Sequence, residues 1–430
     1  MSVGSASSRP IRTVSEKSAL NALARKTFPF VPVFVTPEGR LSSFRPSIIQ
    51  TFPVLCKVQF SVRRLPDVRQ ILCLSNKPWS STPGRTQQLI SRLKDTQVLY
   101  FSPAQGLRDR SFREKGRKVR PNVTAYTLPP LLLPMEERYG RLFRLDQRRL
   151  GSFISDQAAR HRFRAPLLWT SSPEHVHLLD RLEYSGLVYD CDREWEDLPP
   201  IWEGSLANAA DVVFAASPLL CDRLSPCSPN IALLPNGVNF PLFSSQTTSP
   251  RPNPLPQVSG PVLGWAGTIR EDVDLSPLLY AARERPDWTF LLLGRREGNR
   301  LLPRLRRQPN VILAGPCSLD QVPDWLYRCD VLLNFLRDDR VDDGVVPTRV
   351  YEYLSTGKPV VSMLWPDQVE RFPDVIYGAH SQQEFLTLCH HALMEAPGFV
   401  SQRRQDYGAQ AAWPNRAREV SRILSTAGLL

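Results

Sequence analysis

Beyond about residue 68 the apolar residues fall in short continuous runs rather than in alternation, beginning with Val68-Arg-Gln-Ile-Leu-Cys-Leu-Ser75. A run of this length between polar loops predicts a strand buried on both faces, as in a parallel sheet. Similar runs predict strands at 97–101, 166–169, 186–189, 211–215 and 231–234. A second series follows at 262–266, 289–293, 311–314, 331–335 and 359–363. Helical stretches between them, such as 86–93 and 277–284, complete a strand–helix alternation that predicts doubly wound α/β architecture. Ser244 to Ser259 is polar and dense in proline, the composition of a linker.

This pattern predicts a first lobe over 67–243, a linker over 244–259 and a second lobe over 260–401. The tail over 402–430 reads as an amphipathic helix with Trp413, Ala417, Val420 and Ile423 at helical spacing, packing back toward the first lobe. Residues 1–66 are rich in Ser, Pro and Arg without sustained alternation, and are expected to form a poorly ordered basic extension. In a bilobed α/β chain the ligand is expected between the lobes, at the carboxyl ends of the strands.

One helix carries the most chemistry. Pro347 suits a first helical turn, Thr348 to Ser355 has few breakers, Gly357 suits a left-handed cap, and Pro359 ends the run. Open N–H groups and the helix dipole at its start favour an anion. Glu352, further along, can accept hydrogen bonds from a ribose or sugar diol. The pair fits a nucleotide-sugar diphosphate.

Composition narrows the picture. The 430 residues suffice for about two domains, and 42% apolar content excludes global disorder. The net charge of +12 raises nucleic-acid binding. Its distribution argues otherwise, since eleven basic residues from Arg9 to Arg69 face only Glu16, Glu38 and Asp67. A basic surface equally suits anionic membranes or polyanionic glycans, so no specific nucleic acid is expected. The eight cysteines form no CxxC pair and no zinc spacing, and read as buried thiols of a reducing cytosol. No apolar run reaches a membrane span, and no continuous signal-peptide core is visible. GxxxxGK[ST], GxGxxG and HExxH are absent. Asp190-Cys-Asp192 could hold a metal or sit on the loop after strand 187–189, with helix capping as the alternative role.

Taken together, Asn236-Gly-Val-Asn239, the Gly267 loop, Asn310 to Pro316 and Tyr351 to Val361 resemble GT-B-fold glycosyltransferases of the group 1 (family 4-like) type. Leu187 to Asp192 and Ala209 to Ser217 resemble envelope-polysaccharide members such as teichuronic-acid biosynthesis glycosyltransferases. The likeness runs from about Val68 to Ile423. It implies a GT-B fold, two Rossmann-like lobes facing a central cleft, and metal-independent transfer from a nucleoside-diphosphate sugar to a glycan or lipid-linked acceptor. No cofactor beyond that co-substrate is implied. The implied setting is cytoplasmic, with peripheral contact at the inner face of the membrane.

By this resemblance Glu352 binds the ribose, and Thr348 and Arg349 lie among the amides that hold the diphosphate. Arg270, after Gly267, matches a basic phosphate contact, with a solvated loop arginine as the alternative. Backbone at Pro316 meets the base. Trp79 and Arg85 lie on the acceptor-facing loop after the first strand, where Arg85 could instead cap or solvate its helix. The acid usual eight residues before the ribose-binding Glu is here Gly344, with Asp342 and Asp343 just ahead of it. An inverting route needs a base on the first lobe, for which Asp192 and His175 are the candidates; a retaining route does not. His390 and His391 are taken as structural. A nucleotide-sugar 2-epimerase of the same fold and a catalytically silent assembly scaffold are the alternatives.

Overall fold

The computed structural model describes residues 69–80, 82–131, 140–244, 255, 258–271, 273–335, 344–363, 372, 374–396 and 398–430. The expected basic extension at 1–66 and most of the expected linker lie outside this range. Two sheets dominate. The first holds β1 (Arg69–Leu74), β2 (Thr96–Ser102), β3 (Arg117–Arg120), β4 (Val123–Thr127), β5 (Leu167–Thr170), β6 (Gly186–Cys191), β7 (Val212–Ala215) and β8 (Ile231–Leu233). Their order is β3-β4-β2-β1-β5-β6-β7-β8. Only the edge strand β3 runs antiparallel to its neighbour among these pairings.

The second sheet holds β9 (Val262–Ala266), β10 (Thr289–Leu293), β11 (Val311–Ala314), β12 (Val331–Asn334), β13 (Val360–Ser362) and β14 (Ile376–Gly378), in the order β11-β10-β9-β12-β13-β14. Both sheets reverse direction of growth beside their first strand, at β1–β5 and β9–β12. Such reversals open crevices at the carboxyl ends of the strands. The sheets are buried on both sides, which explains the continuous apolar runs. In β1, Leu72 and Leu74 face one core while Ile71 and Cys73 face another.

Every strand expected from the apolar runs is present, with ends shifted by a residue or two. Not expected were the β3–β4 hairpin, the helix Gly140–Arg160 and the three-residue β14. The helix 140–160 escapes a run-based reading because arginines interrupt it. Its buried face is Leu150, Ile154 and Ala158 at a four-residue spacing.

The tail is a correction. In place of one helix over 402–430 there are two, Phe399–Gln410 and Trp413–Thr426. The break at Ala411-Ala412 lets the chain pair with Val238. Val238 N–H donates to Ala411 O (3.0 Å) and Trp413 N–H donates to Val238 O (3.0 Å). Pro414 then sits in the first turn of the last helix. Trp413, Val420 and Ile423 pack into the same core as Ile71, Tyr100 and Trp169, so the expected return to the first lobe is observed. Among the described residues no helix is long and apolar enough to cross a membrane.

Trp413→Ala removes a side chain only 2% exposed in that core. It should cost about 3–5 kcal/mol by denaturant titration, whereas Arg418→Ala on the exposed face of the same helix should stay within about 0.5 kcal/mol.

Candidate active site

The helix at Glu352 spans Thr348–Thr356, with Pro347 extended at its N-cap and Gly357 left-handed at its C-cap (φ 75°). Its first turn meets the end of β9. The Arg349 guanidinium lies 5.0 Å over the Trp265 ring, a cation–π contact. Gly267 leaves room for this pair. A Cβ there would lie 2.9 Å from the indole and 3.1 Å from Arg349 Nη1. That Nη1 is buried and has no hydrogen-bond partner among the described residues. A charged donor held in this way beside a helix N-terminus is prepared for an anion.

Glu352 follows Arg349 by one turn. Burial pushes its carboxyl up to about 7, while Arg349 pulls the other way. The side chain keeps some solvent-facing surface and accepts no hydrogen bond from any described residue. Gly267, Thr348, Arg349 and Glu352 therefore converge. Arg270 and Pro316 are less engaged. Arg270 is 61% exposed and 3.8 Å from Glu297, on a loop whose Ile269 N–H bonds to Arg295 O, and Pro316 is exposed beyond β11. Gly344 is buried with φ 62°; Asp342 and Asp343 lie outside the described residues.

Asn236 joins the lobes beside this helix. Its Nδ2 donates to Val346 O (3.1 Å), and its backbone O accepts from Arg416 Nε (3.3 Å). Its Oδ1 accepts from Arg85 Nη1 at 3.5 Å. Arg416 also bonds Tyr351, and burial first, then the nearby Arg85 charge, lower its pKa.

Arg85 and Asp190 need correction. Asp190 lies inside β6, fully buried, not on the following loop. Its carboxylate accepts from Arg85 Nε (2.8 Å) and Thr86 Oγ1 (3.4 Å). It lies within the strand rather than at a helix N-cap. Burial raises its pKa against the opposing pull of Arg85. Arg85 is likewise buried, with Nη2 unpartnered among the described residues, so it neither solvates nor caps its helix. Trp79 packs edge-on against Tyr100 (5.1 Å between centroids), within the core on the far side of the sheet from the first-lobe cavity. Asp192 lies just past β6, 3.7 Å from Lys77 Nζ.

That cavity, about 340 Å³, opens at the carboxyl ends of β1, β2, β4 and β5 and is lined in part by Glu174 and His175. His175 Nδ1 is 2.6 Å from Thr170 Oγ1. Burial drives its pKa down to about 3, so the ring is neutral near pH 7. Glu174, which sequence reasoning passed over, is held above the usual carboxylate range by burial and keeps 22% of its side chain exposed. Its only signal was the strand end preceding Ser172-Pro173. Among the described residues no cluster of three or more His, Cys, Asp or Glu could hold a metal.

Residues 270–420 match a family model described as glycosyl transferase-like. Over 337 residues the chain is 24% identical to a putative teichuronic acid biosynthesis glycosyltransferase, TuaH, of Bacillus subtilis (strain 168), covering 72% of this chain and 84% of that protein. The chain has the GT-B fold. Its fold is shared with sucrose-phosphate synthase from Thermosynechococcus elongatus (TM-score 0.65, 15% identity, 83% of this chain and 99% of that one). It is also shared with Anabaena HepE, solved with UDP and glucose (TM-score 0.58, 15% identity, 83% and 99%). The chain thus pairs a second lobe bearing Arg349 and Glu352 with a first lobe bearing the cavity.

The Glu352 carboxyl holds its proton more tightly folded, near 7, than unfolded, near ~4.3. Between these values the folded state binds more protons, so this group lowers stability as pH rises and its effect levels off above about 7. Glu352→Gln should remove that slope. Thermal midpoints from pH 5 to 8 should therefore favour the variant increasingly as pH rises; parallel curves for the two proteins would contradict the burial.

Proposed function

We propose that the enzyme moves a sugar from a nucleoside diphosphate to a hydroxyl of an envelope glycan or lipid-linked acceptor. One observation carries this reading: among the described residues, a cation with an open donor and a carboxyl group without a hydrogen-bond partner lie one turn apart, at the start of a helix beside the β9 switch point. First-turn amides at Thr348 and Arg349, with the Arg349 side chain, stabilise charge on the departing diphosphate. Glu352 accepts the ribose hydroxyls. Arg270 and the Pro316 backbone are proposed as outer contacts with phosphate and base. Charge compensation comes from the chain's own groups, so no metal is required in the proposed step.

On the first-lobe side His175 serves as a cavity wall, because a neutral ring with so low a proton affinity is a weak base. Asp192, beside Lys77, and Glu174 are the carboxylates available to an acceptor hydroxyl. The resemblance to the teichuronic acid protein supports a polysaccharide context and transfer over epimerisation of a free nucleotide sugar. Exposed Arg141, Arg144 and Arg148 beside exposed Leu142 and Leu145 suit peripheral contact with anionic lipid at the inner face of the membrane.

Titration calorimetry with UDP, GDP, dTDP and ADP tests the site. Glu352→Ala should weaken the preferred nucleotide roughly 10–100-fold, as expected for lost hydrogen bonds to a charged group. Unchanged affinity would sink the assignment. Adding a chelator such as EDTA should leave that affinity as it was; a loss restored by magnesium would overturn the metal-independent reading.

A further inference from the structure

We infer that the edge of the first sheet, from the loop after β2 through β3, is a docking strip for an anionic polysaccharide chain. The strip lies outside the transfer site and its role does not depend on the transferase reading.

From Arg108 to Arg120 the sequence sets seven basic residues against two acids, Asp109 and Glu114. All seven basic side chains are exposed. Asp109 is turned onto its own loop, where its carboxylate accepts from the N–H groups of Gln105 and Ser111, both 2.8 Å. Among the described residues no ion pair ties any of the seven to a carboxylate. At the far end Arg120 meets another cation. Arg92, half-buried and bonded to Gln88 O (2.9 Å), has its proton affinity lowered first by burial and then by the Arg120 charge. An anion placed there relieves the repulsion. Charge on an edge strand also guards against unwanted pairing, but one or two charges of either sign suffice for that.

The shape suits a chain rather than a single ion. β3 is outermost in its sheet, paired only with β4 among the described residues. Arg117 stands opposite Ala125 and Arg120 opposite Val123, so β3 runs away from the carboxyl end of β4. That end adjoins the cavity, which Gly106, Leu107 and Leu128 help to line. The strip therefore starts at the cavity mouth and descends the sheet edge, with Arg117 and Arg120 about 10 Å apart at ~3.3 Å per residue. The outward N–H and C=O groups of an edge strand are open, and sugar hydroxyls can both donate to and accept from them.

The same surface fits lipid and nucleic acid poorly. Every exposed residue from Arg108 to Arg120 is charged. Val119 packs against the core that holds Ile71 and Tyr100, and the half-buried Phe112 ring has the Arg113 guanidinium 5.5 Å from its centre. Neither an apolar anchor for a bilayer nor a free ring for stacking bases is presented.

Calorimetry on the full chain with a linear oligogalacturonate tests this, against galacturonate monomer, phosphatidylglycerol vesicles and oligothymidylate. The oligomer should bind more than roughly tenfold more tightly than the monomer, because neighbouring contacts reinforce one another, and should weaken as salt is added. Lys115→Glu with Lys118→Glu should weaken it by roughly tenfold or more at the wild-type melting temperature. Arg306→Glu with Arg307→Glu, an equal change of net charge at exposed positions of the second lobe, should leave it unchanged. Lys118→Gln, which removes one charge and adds none, serves should the double reversal misfold, and should also weaken binding. Undetectable oligogalacturonate binding, equal losses from both reversals, or tighter binding of vesicles or oligothymidylate that is lost with Lys115 and Lys118 would overturn the inference. No arm uses a nucleotide, so failure of the transferase site leaves these results standing, and failure of the strip leaves the nucleotide titrations standing.

Discussion

The chain leaves its first lobe at Asn236–Val238 and returns to it at Ala411–Trp413, and these two crossings are stitched to each other. Val238 exchanges backbone hydrogen bonds with Ala411 and Trp413, both 3.0 Å. Gly237 makes the seam possible, because a Cβ there would lie 2.7 Å from the Trp413 ring and 2.8 Å from Ala411 O. Trp413 in turn anchors the last helix in the first-lobe core. Two crossings tied at one point by a parallel bridge constrain the lobes more than a single linker could.

The Thr348–Thr356 helix inherits its position from that seam. Asn236 reaches Val346 just before the helix, and Arg416 from the returning strand of chain reaches both Asn236 and Tyr351. At the other end, buried Arg404 donates to Gly357 O and Val375 O and pairs with Glu395. Gly408 permits close approach to Ser355. Arg349 and Glu352 can then remain incompletely paired without the helix shifting to satisfy them. Buried open donors and a desolvated carboxylate are unfavourable in isolation, and here the surrounding hydrogen bonds hold them where an anionic ligand with a diol would complete them.

The charged groups left open differ between the lobes. In the second lobe the open donor among the described residues belongs to Arg349, whose guanidinium suits an anion. In the first-lobe cavity the carboxyl group is that of Glu174, whose raised proton affinity the Arg193 charge opposes.

The sequence by itself determined the strands, the two-lobed division and the Thr348–Thr356 helix with its caps. These depend on local pattern: apolar runs buried on both faces, and a Pro–Gly frame whose conformational preferences are intrinsic. Glu352 was legible because its helix and its chemistry are contained in one short stretch. Tertiary structure decided the rest. Arg85 and Asp190 are 105 residues apart in the chain, and neither type of residue signals a buried ion pair, so one read as a loop cation and the other as a loop acid. The tail broke at Ala411 because Val238, remote in sequence, offered it hydrogen bonds that a continuous helix would forgo. Glu174 and His175 are neighbours that line one cavity, yet burial raises the proton affinity of the carboxyl and lowers that of the imidazole. Burial sets proton affinity, and burial is a property of everything folded around a residue, which no local pattern encodes.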